Sequence, residues 1–294
     1  MEEKDFPNYY IAGDQVSLIS QKLYTRYVRF DLILMILSAA LTIYNFQSQD
    51  GKKIIYLVSG IIMLIAIILS LLLKIQKYED TWYQGRALAE SVKTLTWRFM
   101  TKSEYFESSL TDDEAKIRFT NRMKELNEEF VDLHSALKAK YLALPIITNQ
   151  MLEIRKLTLD DRKKFYLKNR IDNQIQWYSK KADTNKKKYE NWFLGVIVTQ
   201  LLALFSIVYL ILSPESSFNF VGVFTTLSAS FFSWLQLKKY QENKQAYTTA
   251  TSELNLIKQE AEFIDTQEKF KIFVLDSENA MSREHTLWLA QKRI

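Results

Sequence analysis

Cysteine is absent from this 294-residue chain, proline occurs three times and glycine six times. Without cysteine there are no disulfides and no thiolate metal sites. So few turn formers argue against a sandwich, a barrel or a loop-rich fold, whose many reversals need them. What remains is a chain that is almost entirely helical. Histidine occurs twice, at His134 and His285, each alone on a helical stretch. There is no P-loop, no GxGxxG and no HExxH. Paired carboxylates such as Glu128 and Glu129 lie on ordinary charged helix faces. The expectation is a protein that is not an enzyme and that uses no cofactor and no metal. The N-terminus, Met1–Asp5, is acidic with no apolar core behind it, so no secretory signal is expected there.

Long uncharged runs are what the chain does have. Trp192–Leu212 and Phe218–Leu237 contain no charged residue and are separated only by Ser213–Ser217. About 20 helical residues span roughly 30 Å, the thickness of a bilayer's hydrocarbon core, so the two runs read as a transmembrane hairpin. Ile54–Leu73 is a third such run. The fourth, Leu32–Phe46, is short and reaches membrane length only if Val28, Arg29 and Asp31 sit at the interface with Arg29 snorkelling. Gln47–Lys53, with Asp50-Gly51, is expected to be the turn of this first hairpin, and residues 1–20 a polar lead-in. Four spans result, at about 28–46, 54–73, 192–212 and 218–237.

Lysine and arginine flank the hairpins at their open ends. Lys22, Arg26 and Arg29 precede the first, and Lys74 and Lys77 follow it. Lys180, Lys181 and Lys186–Lys188 precede the second, and Lys238, Lys239 and Lys244 follow it. The second loop has no basic residue, whereas Lys52 and Lys53 sit in the first. The positive-inside rule puts both termini and the middle of the chain in the cytoplasm.

Each hairpin runs on into a polar helix with a heptad seam: Tyr78, Trp82, Gly85, Ala89, Val92, Thr96 and Phe99 after the first, and Tyr247, Ala250, Leu254, Ile257, Ala261 and Ile264 after the second. Such seams pack along a partner helix. The repeated order of span, turn, span and heptad helix is an internal duplication, dividing the chain at 1–150 and 151–294. Between the hairpins, Thr111–Glu114 is a capping box expected to open a helix to about Lys140, ended by Pro145. Thr158–Asp161 caps a helix running through Lys188 into the third span. A last amphipathic helix is expected at Ser277–Ile294, with Leu287, Trp288 and Ala290. The fold class is therefore all-α and integral to the membrane, with two transmembrane hairpins and long cytoplasmic helices packed in coiled-coil-like bundles.

Two sets of residues are candidates for function. The first is intramembrane and polar: Thr225, Thr226, Ser230 and Ser233 in the fourth span, Thr199 and Gln200 in the third, and Asn45 at the end of the first. Thr226, Ser230 and Ser233 share a helical face. They fit the wall of a water-filled path in an oligomer. They fit close helix packing equally, since Gly222-x-x-x-Thr226 is a small-xxx-small pattern. The second is basic and aromatic. Residues 161–190 carry ten Lys or Arg against four Asp or Glu, interleaved with Tyr166, Trp177, Tyr178 and Tyr189. This mixture suits an anionic, base-bearing ligand or the anionic inner leaflet.

Trp82-Tyr83-x-x-Arg86-Ala87-x-Ala89-Glu90-x-x-Lys93-x-x-x-Trp97, directly after a two-span hairpin, resembles the SLATT proteins, the SMODS- and SLOG-associating two-transmembrane effectors of bacterial conflict systems. So does Arg170-Ile171-x-x-Gln174-x-x-Trp177-Tyr178-x-x-Lys181-Ala182 ahead of the third span. Together with the four spans these motifs cover most of the chain, in the manner of a tandem form. The second copy lacks the Trp-Tyr-x-x-Arg signature at Tyr247–Leu256 and keeps only Glu253 near the place of Glu90. The resemblance implies an oligomeric inner-membrane effector that perforates or depolarises the membrane on infection. It also implies an anionic nucleotide or oligonucleotide signal, made by a co-encoded nucleotidyltransferase. Arg86, Glu90, Lys93, Trp97, Arg170, Trp177 and Lys181 are the candidates for sensing it. The partners expected are the lipid bilayer, further copies of the chain and that ligand. The rival reading is a membrane-anchored scaffold without a pore.

Overall fold

A computed structural model describes residues 1–290, with side chains to Ser282. The last residues of the expected amphipathic tail, with His285, Leu287, Trp288 and the side chain of Ala290, lie outside those described side chains. Eleven α-helices are described: α1 (Asn8–Leu41), α2 (Gln49–Gln76), α3 (Tyr78–Thr101), α4 (Asp112–Glu129), α5 (Ala139–Leu142), α6 (Asn149–Lys156), α7 (Leu159–Tyr166), α8 (Asn173–Leu212), α9 (Val221–Lys238), α10 (Tyr240–Glu260) and α11 (Gln267–Ala290). Among the described residues there is no β-strand, only one isolated bridge between Tyr44 and Phe218. The fold is all-α. It divides into two compact units, and each draws on both halves of the chain.

The first unit comprises residues 1–21, 79–182 and those from Gln245 onward. The heptad seam of α3 is its centre: Gly85, Ala89, Val92, Thr96 and Phe99 are all buried. Gly85 and Gly13 on α1 let two backbones touch. A Cβ on Gly85 would meet the Gly13 carbonyl oxygen at 2.9 Å and the Ser17 nitrogen at 3.0 Å. The N-terminal stretch is therefore no polar lead-in. Its helix begins at Asn8, and Phe6, Ile11, Ala12 and Val16 are buried. Phe99, Phe106 and Phe119, with centroids 5.1 to 5.7 Å apart, form an aromatic knot, each ring fully buried. A ring of this size contributes about 1.5–3 kcal/mol through burial. The seam of α10 is buried at Tyr247, Ala250 and Leu254 and continues to Ala261 and Ile264. The Thr111–Glu114 capping box forms, but its helix stops at Glu129 rather than Lys140. The chain turns at Phe130 through the 3-10 segment Val131–Leu133, which buries Leu133. That burial outweighs the local preference for continued helix.

The second unit comprises residues 22–78 and 183–244, the ends of α1 and α8 together with all of α2 and α9. Gly195 and Trp192 on α8 meet Phe231 on α9, and Val196, Trp234, Leu235 and Tyr240 form a small buried cluster. Arg29 lies over the Trp234 ring at 5.3 Å. Ser38 and Ser59 join α1 to α2 by a 2.6 Å hydroxyl hydrogen bond. The first hairpin's turn is displaced from its expected place. α1 ends at Leu41, and Asp50 and Gly51 belong to the first turn of α2, where the Ser48 hydroxyl accepts from the Gly51 N–H. The freed residues 42–48 reach the other hairpin. The Asn45 N–H donates to the Ser217 carbonyl and the Asn219 N–H to the Ile43 carbonyl, both at 2.7 Å. The closed ends of both hairpins are thus tied together.

Two helical stretches among the described residues are long and apolar enough to cross a membrane, Gln49–Thr101 and Leu159–Leu212. In their most apolar windows only 6% and 22% of the residues are buried. The other two runs fall short on composition. α1 carries Arg29 and Asp31 and ends early, and α9 carries five hydroxyl residues and Lys238. Each hairpin also ends in the same way. Lys77 after α2 and Lys239 after α9 take left-handed backbone, at φ 48° and 46°. That conformation ends each apolar helix before the heptad helix begins, a break that continuous periodicity does not reveal.

Two outcomes follow from this packing. In the otherwise cysteine-free chain, Tyr44→Cys with Phe218→Cys forms an intramolecular disulfide under mild oxidant. The two residues face each other as a non-hydrogen-bonded antiparallel pair, in which side chains approach most closely; a non-reducing gel checks it. Gly85→Ala lowers stability by about 1–3 kcal/mol, read as a lower thermal midpoint, because its Cβ collides with backbone that cannot swing aside.

Candidate functional site

The helix that begins at Leu159 is not regular. Between α7 and α8 the segment Leu167–Asp172 is π-helical, with one residue more per turn than the flanking helix needs. The widened turn carries Arg170 and Ile171, both buried. Arg170 faces Glu278 of α11. Its Nε donates to Oε1 at 2.9 Å and its Nη2 to Oε2 at 2.7 Å, with the two side chains 3% and 0% exposed. Two further donors complete the carboxylate: the Tyr166 hydroxyl at 2.9 Å and the Thr94 hydroxyl at 3.1 Å. Burial works against the Arg170 charge, but Glu278 more than offsets it and holds the guanidinium above its ordinary range. The same burial, with Glu278 alongside, drives the Tyr166 hydroxyl well up.

The α3 signature surrounds this pair. Trp97 is buried, stands edge-on to Tyr166 at 5.6 Å and lies 6.0 Å below the Arg170 guanidinium. Lys93 lies 3.8 Å from Glu90. Burial holds its ammonium below the lysine range; Glu90 opposes that shift, and Arg170 adds to it. Arg86 and Glu90 are half-buried and act electrostatically on Asp14 of α1. The Asp14 carboxyl is raised by burial first, then by Glu3 and Glu90. Five of the seven expected sensing residues, Arg86, Glu90, Lys93, Trp97 and Arg170, therefore share one electrostatic neighbourhood. There Asp14, Glu90 and Glu278 balance the charges of Arg86, Lys93 and Arg170. Trp177 and Lys181 lie apart from it. Both are exposed, Lys181 sits 5.5 Å over the Trp177 ring, and Trp177 meets Tyr247 edge-on at 5.3 Å.

The polar residues of the second unit divide as well. Thr199 and Ser230 are buried within it, and Thr226 is partly covered. Thr225, Ser233 and Gln200 are exposed, and Asn45 sits in the first hairpin loop rather than in a span. Several hydroxyls bond to their own helix: Thr199 to the Gly195 carbonyl, Thr225 to Val221 and Thr226 to Gly222, each at 2.8 Å. On α9, Gly222, Thr226, Ala229, Ser233 and Gln236 follow one another at steps of four and three. A Cβ on Gly222 would meet nothing within 4 Å, and Ala229, Ser233 and Gln236 are exposed. Among the described residues no group of His, Asp and Glu side chains could hold a metal ion.

Glu278, Thr94 and Asp14 escaped the sequence reading, and Tyr166 entered it only as an aromatic of the basic stretch. One signal did exist for Glu278. Phe270, Phe273, Val274, Ser277 and Met281 set an apolar face on α11, and Glu278 occupies a position on it. A carboxylate in that place demands a buried cation. Removing one partner of the pair, by Glu278→Leu or Arg170→Met, costs about 3–5 kcal/mol. The double replacement recovers part of that loss, and a double-mutant cycle by denaturant unfolding in detergent reads the coupling.

Comparison with known families matches this architecture twice. The model for the SMODS and SLOG-associating 2TM effector domain 3 matches residues 7–163, and the model for domain 1 of the same series matches residues 166–288. The junction falls within the helix that carries the π-turn. No curated protein and no solved structure matches the chain. The chain belongs to the SLATT family, the SMODS and SLOG-associating two-transmembrane effector domains, and carries two of them in tandem.

Proposed function

We propose that this chain is an oligomeric inner-membrane effector of a bacterial antiviral system, and that it forms an ion-conducting pore governed by an anionic nucleotide-type signal. The observation that carries the reading is the outward face of α9. Elsewhere in the second unit the uncovered surface is large and apolar: Ile54, Leu57, Leu64, Ile67, Leu71 and Ile75 on α2 are each more than half exposed. Surface of that kind belongs against lipid. On α9 the exposed residues are instead mostly small or polar: Gly222, Thr225, Ala229, Ser233 and Gln236 are exposed and Thr226 is partly covered, with Phe232 the large apolar exception, while Phe231 and Trp234 turn inward to Trp192. Small and hydroxyl-bearing side chains at heptad spacing suit contact between copies of α9 around a central path. Within this reading Thr225, Thr226 and Ser233 line the path, whereas Thr199 and Ser230 serve packing inside each protomer.

All four helices of the second unit are taken as spans, α1 and α9 being sheltered by their neighbours and by the oligomer. The paired loops support a common orientation of the two hairpins, and the flanking lysines and arginines support cytoplasmic termini. The chain is read as performing no catalysis. Gating is a shift between two helix arrangements. The Arg170–Glu278 pair holds one of them, and α8 is the covalent continuation from its π-turn to a span. A scaffold without a pore is the second reading. It is favoured by the hydroxyls of Thr225 and Thr226, which are already satisfied within their own helix.

Recording of the purified protein in a planar bilayer tests the proposal. The wild type shows discrete conductance, with Glu278→Gln altering its open fraction. Thr226→Leu with Ser233→Leu reduces conductance at least tenfold without loss of membrane insertion. No conductance in the presence or absence of nucleotides leaves the scaffold.

A further inference from the structure

Three basic residues gather at the far end of α3, each on a different element. Lys102 follows the last turn of α3 in left-handed backbone, at φ 54°, a position that favours glycine. Arg155 belongs to α6 and is 1% exposed; Arg162 belongs to α7 and is 4% exposed. Arg162 Nη1 donates to the Arg155 carbonyl at 3.1 Å. Gln267 ties the group to Lys102, accepting from Arg162 Nη2 and donating to the Lys102 carbonyl at 3.2 Å.

The charges are not balanced. Among the described residues Asp112 is the one carboxylate in contact, accepting from Arg155 Nε at 3.2 Å, and its side chain is 47% exposed. Backbone carbonyls take other donors: Phe99 and Phe106 accept from Arg155 Nη1 at 2.8 and 3.0 Å. After these bonds, Arg155 Nη2 and Arg162 Nε are buried without a hydrogen-bond partner. Burial and the neighbouring Arg155 press the Arg162 guanidinium down to about 10. Burial, then Arg162 and Arg155, lowers the Lys102 ammonium as well. In the same unit Arg170 meets the opposite environment, a buried carboxylate that accepts from both its Nε and its Nη2. Two buried arginines with spare donors and no buried counter-charge are costly unless an anion is supplied.

We propose that Lys102, Arg155 and Arg162 form a binding site for a phosphate-type oxyanion, in which the Asp112 carboxylate stands in until that anion displaces it. Phosphate is the chemistry of choice because guanidinium forks match its oxygens. The way in is at Lys102, Asp112 and Gln267, which are all partly exposed. As the docking place of the gating signal the site rests on the function proposed above. As an anion site it rests only on these contacts.

Isothermal titration calorimetry on the full-length protein in detergent tests it, with inorganic pyrophosphate, ADP and short-chain phosphatidic acid as separate titrants. The wild type binds pyrophosphate. Lys102→Gln, at a partly exposed position that leaves the core intact, weakens binding at least tenfold, and Arg162→Gln does the same. Asp112→Asn, which removes the competing carboxylate, tightens binding severalfold. Preference for ADP over the lipid assigns a soluble ligand and the reverse assigns a headgroup; either supports the site. Absence of heat with all three titrants overturns it, as does an affinity that Lys102→Gln and Asp112→Asn both leave unchanged. A protein that binds pyrophosphate but never conducts keeps the site and removes the pore.

Discussion

The buried pair of Arg170 and Glu278 is the interaction on which the first unit depends. It joins the π-turn below α8 to α11, and the Tyr166 and Thr94 hydroxyls close the remaining acceptor positions. Two charges without solvent are tolerable only when each is answered in full, so these side chains hold their helices in one register. The widened π-turn is part of that arrangement, since it carries the arginine that reaches the carboxylate. The neighbouring α3 signature adds Lys93, Glu90 and Arg86 to the same field. Five of the residues taken from sequence as sensing candidates thus gather around this pair in the fold.

Duplication shapes the rest, and the two copies have diverged in physical character. Both hairpins end in the same manner, with a left-handed lysine between apolar and polar helix. Their outward surfaces differ. α2 exposes large aliphatic side chains along its length, while α9 exposes mostly small and polar residues with Phe232 among them. The loops Ile43–Asn45 and Ser217–Asn219 then couple the copies through two short backbone hydrogen bonds.

Much of this was legible from residue order. Uncharged runs, heptad seams and the caps at Thr111 and Thr158 are local patterns, and local patterns survive into the fold. Departures arose where burial overrode them. Phe6, Ile11 and Val16 sit in a short stretch that also contains Asn8, Asp14 and Gln15, so only docking onto α3 reveals it as core. The first loop moved because Ser48 caps a helix that already includes Asp50 and Gly51. Neither Arg155 nor Arg162 stood out from its many basic neighbours in sequence. Their missing counter-charge exists only once the chain is folded.

By itself the sequence determined the helical class, the apolar runs, the doubling of the hairpin and the membership in a two-transmembrane effector family. The first three follow from composition and spacing within a few turns of chain, and the last from the likeness of whole motifs to a known family. Tertiary structure alone decided which charges are matched. Glu278 lies 108 residues from Arg170 and Gln267 lies 105 from Arg162, and no local pattern encodes such pairings. It decided also which face of α9 is left uncovered, because the aromatic side turns to Trp192 on α8. Hydrophobic spacing states that a helix has two faces; only its neighbours settle which of them is buried.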